Sequence, residues 1–416
     1  MEGCCRGLGN RAIKITALSQ FIKRGFTCII KNKQGLPQIK EGTAMKRIIA
    51  YIGMDVHKES YSLCTYFKEI DKVMYKEKIP ADLHMLLQYI EEVKKSIKGK
   101  QIEVICGYEA GCLGYSIKKM LNEYNIECII MAPTTMLNIN NKRVKTDKRD
   151  AENIAMNLAL RTYKEVHMLN NQDEQIKEYI RMRDDHKLAL TKIKQQINAF
   201  ILRQGKQYVG SKTKWTQCHI KWLKELKLEN IFRIVLDEYL FTYDQLNEKI
   251  ERYNKEIEYF SQDKRYKDNA NKLKCFVGID TVTAMSILSE IGDIKRFATA
   301  KHFSSFIGLT PSEYSSGDKT QRFSITKAGN SHLRKLLIES AHCYNRGSIT
   351  SKSKVLKKRQ EGNDQKIIAY ADKANERLKR RFFKMIKQEK KYNVITTAIA
   401  RELSCFIWGM LSNKIA

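Results

Sequence analysis

IIAYIGMDVHKESYSLCTYF, residues 48–67, decides how the first half of this 416-residue chain folds. An apolar run from Ile48 to Met54 is interrupted by Asp55, His57, Lys58 and Glu59, and a second β-rich run follows from Tyr61 to Phe67. Two such runs joined by a short polar turn predict neighbouring strands with no helix between them. Val73–Ile79 predicts a third strand, closed by Pro80. Leu83, Leu86, Leu87, Ile90, Val93 and Ile97 then recur at helical spacing. Ile102–Tyr108 predicts a fourth strand, a helix passes through Ile117 and Met120, and Ile126–Met131 predicts a fifth strand stopped by Pro133.

A three-strand meander followed by two strands with intervening helices is the order of a ribonuclease-H-like α/β domain, placed here at residues 45–165. A doubly wound nucleotide-binding domain would need a helix and a glycine-rich turn directly after the first strand. Residues 48–67 contain neither. Residues 1–44 show no period of either kind and carry Gly7, Gly9, Gly25, Gly35 and Pro37. The expectation is that this leader is dispensable, or that translation starts at Met45.

No proline occurs between Pro133 and Pro311. Ile176, Ile180, Leu190, Ile193, Ile197 and Phe200 mark one helical face, and Tyr239, Tyr243, Leu246, Ile250, Tyr253, Ile257 and Phe260 step by fours and threes. That heptad seam predicts a long helical coiled-coil arm over 166–265, packed within the chain or against a second copy. Residues 266–416 read as a mostly α domain. FVGIDTVTAMSILSEIGDIKRF, residues 276–297, reads there as helix, glycine hairpin and helix. The second of these helices begins near Asp280 and would offer backbone N–H groups to a phosphate. The stretch Lys352–Lys391 interleaves Tyr370, Phe382 and Phe383 with many cations. This suits either strand tracking with base stacking or a solvated amphipathic helix.

Lys and Arg number 76 against 46 Asp and Glu, a net charge of +30. Self-repulsion of that size calls for a polyanion, so nucleic acid is the expected partner. No run approaches the ~18–20 apolar residues of a membrane span. No secretory signal is present, and the eleven cysteines include no CxxC pair, which points to a reducing cytoplasm. Cys106 and Cys112 are expected in the core.

Four acids occupy positions suited to a metal site. Asp55 follows the first strand in GMDVHK, Glu109 the fourth in YEAG, and Asp147 and Asp150 open a helix in KTDKRDAE. The first and fourth strands are neighbours in this fold, and residues three apart share a helix face. Such oxygen ligands hold Mg²⁺ or Mn²⁺. Taken singly each acid has a plainer role: Asp147 as a helix N-cap with Asp150 in the first turn, Asp55 in a turn, Glu109 beside a lysine. His57 would face the same side as Asp55.

GMDVHK, YEAG and KTDKRDA, followed by GLTPSEYSSG and ITKAGNSHLRKLL, resemble in order the DEDD transposases of insertion-sequence family 110. The resemblance runs from about Ile48 to the C-terminus and leaves residues 1–44 without a counterpart. It implies a RuvC-like first domain with Asp55, Glu109, Asp147 and Asp150 as its metal-binding tetrad. It also implies that a serine followed by glycine is a nucleophile toward the scissile phosphate, which selects Ser316 ahead of Gly317, with Ser315 second. Read without the resemblance, Ser316–Gly317 is only a turn.

The resemblance further implies donor and target DNA as substrates and a bridge RNA as guide. A further expectation is a dimer or tetramer in which the tetrad and its metal activate Ser316 in one composite site. Lys142, Arg143, Lys327 and Arg334 are expected to contact nucleic-acid phosphates. Two other readings stay open: a hydrolytic junction resolvase that uses the tetrad alone, and a nucleic-acid-binding protein without catalysis.

Overall fold

A computed structural model of the protein describes residues 48–97, 101–137, 146–210, 213–316 and 319–415. The leader therefore lies outside the described residues, as do Lys142 and Arg143. The chain divides between Val166 and His167 into two compact units.

The first unit contains β1 (Ile48–Val56), β2 (Ser60–Phe67), β3 (Lys72–Pro80), α1 (Leu83–Lys95), β4 (Ile102–Glu109), α2 (Ser116–Glu123), β5 (Glu127–Met131) and α3 (Asp147–Leu160). The strands form one sheet in the order β3-β2-β1-β4-β5, with β1 antiparallel to β2 and parallel to β4. This is the strand order of a ribonuclease-H-like sheet, as residues 48–131 predict. Period-2 alternation sends Ile48, Ala50, Ile52 and Met54 to one face, where Leu86, Ile90 and Val93 of α1 and Ile117 and Leu121 of α2 complete a core. Burying a side chain of that size contributes about 2 kcal/mol. Tyr51 points the other way and joins Cys64, Tyr66 and the α3 residues Ala151, Ile154, Ala155 and Leu158.

In the second unit α4 (Asn171–Arg203) and α6 (Asn230–Phe260) run antiparallel, with α5 (Gln217–Glu225) between them in sequence. Tyr179 meets Tyr253 and Phe260 at one end, and Phe200 meets Phe232 and Tyr239 at the other. Buried Asp173 accepts hydrogen bonds from Tyr266 and, at 2.9 Å, from Arg265 Nε, tying the start of α4 to the chain beyond α6. The chain continues through α7 (Lys267–Lys274), α8 (Thr281–Ile291), α9 (Ala300–Ile307), β6 (Pro311–Ser316), β7 (Lys319–Ile325), α10 (Ser331–Ala341), α11 (Lys354–Gln360), α12 (Gln365–Lys387) and α13 (Tyr392–Leu411).

Several sequence expectations change here. The mostly α region also contains an antiparallel β6–β7 hairpin. Its Tyr314 and Phe323 face solvent, so the hairpin lacks the apolar alternation that would reveal it. Helix α13 is long and apolar enough by composition to cross a membrane, contrary to the expectation that no run approaches this. Ile395, Ile399, Leu403, Ile407 and Met410 nevertheless bury one face of it in the core of this unit. Phe382 is wholly buried in the same core, and Tyr370 packs edge-on against Phe406. These aromatics of the basic tract thus serve packing; most of its cations face outward, but Lys379 is buried and donates to the Ser348 carbonyl at 2.7 Å. Cys106 is buried as expected, but Cys112 is exposed.

Candidate functional site

Asp55 stands on the face of β1 that α3 covers, together with Tyr51 and Gly53. Gly53 leaves no side chain in the way, and α3 fills that space. A Cβ there would lie 2.2 Å from the Ala151 carbonyl oxygen and 2.3 Å from the Ala155 nitrogen. The helix backbone rests directly on the strand two residues before Asp55. Its first turn, bearing Asp147 and Asp150, is thereby carried to the strand end. Asp147 is the first helical residue rather than the N-cap, which is Thr146.

One ligand atom each from Asp55, His57 and Asp147 lies within 4.8 Å of the others. His57 Nε2 is 3.4 Å from Asp55 Oδ2. Burial raises the Asp55 pKa; the His57 charge opposes this, and the Asp150 and Asp147 charges add to it. Asp150 therefore belongs to the same electrostatic group.

Strand register places Glu109 on the same face, outside the group whose ligand atoms lie within 4.8 Å of one another. Gly53 pairs with Gly107 and Met54 with Tyr108, so Glu109 at the end of β4 follows Gly107 on the α3 face, beside the end of β1. On the other side Ser62 pairs with Asp55, and Lys78 with Ser62. Opposed residues share a face. Glu109, Asp55, Ser62 and Lys78 thus form one row across the sheet. Lys78 Nζ donates to Asp147 Oδ2 at 3.0 Å and holds that carboxyl below its ordinary range. The residues chosen from sequence omit Lys78 and Gly53; their roles come from register and helix approach, which no local pattern announces.

The donor set fits a divalent cation. Asp55 and Asp147 bring carboxylate oxygens within 4.8 Å of one another. Burial above all, with the Asp150 and Asp147 charges added and His57 opposing, disfavours ionisation of Asp55, and a positive ion would favour it. Ser62 buries a hydroxyl beside Asp55 with no hydrogen-bond partner among the described residues, leaving this face one polar interaction short.

In the second unit Ser316 ends β6 opposite Lys319, at the turn of the hairpin; Gly317 and Asp318 lie outside the described residues. The hairpin base is closely fitted. Gly308 and Gly329 both have positive φ, and a Cβ on either would strike backbone oxygen near 2 Å (2.1 Å from Ala328, 2.0 Å from Phe306). Asn330 caps α10 and also donates to Glu290 at 2.8 Å.

His332 bridges Asp184 at 3.0 Å and Glu290 at 3.2 Å, while Arg181 donates to Glu290 at 2.8 Å. Asp184, then Glu290, raise the His332 pKa to about 9. Burial opposes ionisation of the two carboxylates, but hydrogen bonds from His332 and its neighbours hold each at about 2. Arg334 donates to the Ile307 carbonyl at 2.8 Å, whereas Lys327 is exposed at a left-handed φ of 55°. Of the cations expected to meet phosphate, Arg334 thus has a backbone partner of its own.

The DEDD transposase family profile matches residues 52–204, and that of the transposase IS116/IS110/IS902 family matches residues 270–354. A putative transposase, y4qE, of Sinorhizobium fredii is 31% identical over 322 residues, covering 77% of this chain and 78% of that protein. The transposase for insertion sequence element IS1533 of Leptospira borgpetersenii is 28% identical over 83% of this chain and 99% of its own. The transposase for element IS1111A of Coxiella burnetii is 22% identical over 75% and 82%. The first profile spans Asp55, Glu109, Asp147 and Asp150, and the second spans the hairpin that carries Ser316. The chain belongs to the IS110 family of insertion-sequence transposases.

Proposed function

We propose that this transposase cuts and rejoins DNA through a phosphoserine intermediate, with Ser316 as nucleophile and Mg²⁺ held by Asp55, Glu109, Asp147 and Asp150. The convergence of Asp55, His57 and Asp147 within 4.8 Å is the observation that carries the metal half of this reading. A divalent ion bound there would stabilise negative charge on the entering and leaving oxygens of a phosphodiester. The protein's own part is to fix those oxygens through the strand ends and the first turn of α3. Ser316 Oγ gives up its proton and forms a P–O bond, and the deoxyribose oxygen departs and is protonated as a hydroxyl. One ester replaces another, so a second DNA hydroxyl can reverse the step and exchange strands.

The +30 charge supports DNA and a guide RNA as partners. The exposed side chains of Ile231, Ile234 and Phe241, at spacings of three and seven on α6, support contact with a second copy in a dimer or tetramer. Incubation with DNA bearing the element's ends tests the chemistry. Wild type with Mg²⁺ should yield a covalent protein–DNA adduct, Ser316→Ala none, and EDTA should abolish it. Adduct from Ser316→Ala but not from Ser315→Ala moves the nucleophile to Ser315. Free cut ends without adduct from wild type would replace transesterification by hydrolysis.

A further inference from the structure

Residues 186–224 contain nine Lys or Arg and no Asp or Glu, and they hold two of the chain's three tryptophans. The helical arm folds this segment around a set of facing rings. Trp215 stacks on Tyr243 with centroids 5.2 Å apart, and His219 stacks on Trp222 at 5.8 Å. Tyr208 packs against His219 at 4.8 Å and Trp222 at 5.3 Å. The Trp215 backbone sits in the left-handed region at φ 67°, unusual for so bulky a residue. Its N–H donates to His219 Nδ1 at 3.1 Å, so the hydrogen of the neutral imidazole is on Nε2.

Packing alone does not account for the group. Tyr208 and Trp222 are only half-buried and, with His219, line a cavity of about 350 Å³. Exposed Lys206 and Lys214 stand at the same cavity, and Asn198, whose oxygen accepts from Lys214 Nζ at 3.3 Å, adds an amide N–H able to donate. Aromatic boxes can also hold organic cations. Here the surrounding excess of lysines repels a cation, and Lys194 already stands 5.4 Å from the Trp215 ring centre. Ring faces beside ammonium groups instead suit a flat base joined to a phosphate.

We propose that the arm cavity lined by Tyr208 and Trp222 seats one unpaired nucleotide, its base against the rings and its phosphate at Lys206 and Lys214. A base within a duplex is stacked between its neighbours and cannot enter. The seat therefore selects single-stranded or flipped-out positions. The assignment shares with the function proposed above only that the partner is nucleic acid.

Fluorescence anisotropy with the full-length chain tests it, using short labelled single strands of RNA and of DNA, the matching duplex, and a strand of abasic sugars. Tyr208→Ala should weaken single-strand binding about tenfold, the effect of losing one base–aromatic stack, and leave duplex binding unchanged. Tyr208→Phe should restore the affinity. The strand type that loses more identifies the source as RNA or DNA. The abasic strand should bind wild type as weakly as an intact strand binds Tyr208→Ala.

A strand carrying 2-aminopurine should lose emission on binding wild type, a readout that requires no variant. Unquenched 2-aminopurine overturns the assignment, as does full-strength binding of the abasic strand or equal losses for duplex and single strand. Failure of the carboxylate chemistry would appear instead in metal-dependent cleavage, which these measurements do not use.

Discussion

Gly53 of β1 and Ala151 of α3 are in such close contact that a Cβ on the glycine would lie 2.2 Å from the Ala151 carbonyl oxygen. Ala151 directly follows Asp150, so this contact sets the distance between helix-borne and strand-borne carboxylates. Gly53→Ala has no room except by lifting α3, because the opposing atoms are backbone. It should cost about 3 kcal/mol in chemical denaturation, at the upper end of ordinary overpacking. The surviving folded protein should bind Mn²⁺ weakly. A Gly53→Ala protein with unchanged stability and metal affinity would show that the helix does not depend on this contact.

Asp55→Asn separates function from stability. On the proposed mechanism, removing this carboxylate should lower Mg²⁺-dependent DNA cleavage at least about a hundredfold, since even residues that only orient ligands are worth ten- to hundredfold. Burial, with Asp150 and Asp147, raises the Asp55 pKa in the folded protein. An acid raised on folding stabilises only below its unfolded pKa and loses that contribution as pH rises through the folded value. At neutral pH its ionised form opposes folding. The metal-free Asn variant should therefore melt above wild type at neutral pH, and a lower melting temperature would contradict this.

Lys78 Nζ pairs with Asp147 Oδ2 at 3.0 Å. A cation held by Asp147, as proposed, would compete with that ammonium group. Lys78→Gln should tighten Mn²⁺ binding by about threefold at low ionic strength, as expected of an exposed pair, and the gain should fade with added salt. Titration calorimetry in two salt concentrations decides it; weaker binding would make Lys78 a supporting group and not a competitor.

The His332 network predicts a pH dependence of stability in the second unit. His332 is raised to about 9, so its contribution is complete below the ~6.5 of an unfolded histidine and is lost as pH rises through about 9. Asp184 and Glu290 are held at about 2, so theirs is present above ~4 and lost as pH falls through about 2. Stability should peak between these limits. His332→Gln should cost about 2 kcal/mol at pH ~6 and remove the alkaline decline. A variant that retains the wild-type decline up to pH ~9 would assign it to another group.

The sheet order was legible because each strand carries its own signal: an apolar run, a turn and the next run. The four acids could be placed at element ends for the same reason. The β6–β7 hairpin was not legible, since Tyr314 and Phe323 lie exposed among polar neighbours and leave no period-2 stripe. Cys112 shows the opposite error. It is apolar in character and near Cys106, yet it follows the end of β4 and faces solvent.

The amino-acid sequence by itself determined the five strands of the first unit and the long helices of the second, and that Asp55, Glu109, Asp147 and Asp150 sit at element ends. Periodicity and turn chemistry act within a few residues of each position, so they can be read along the chain. Only the tertiary structure decided that α3 rests on Gly53, that Lys78 reaches Asp147, and that Tyr208 and Trp222 share one cavity. Those relationships join residues that are not neighbours in sequence, and close packing of backbone and side chains settles them, with no local pattern to mark which atoms will meet.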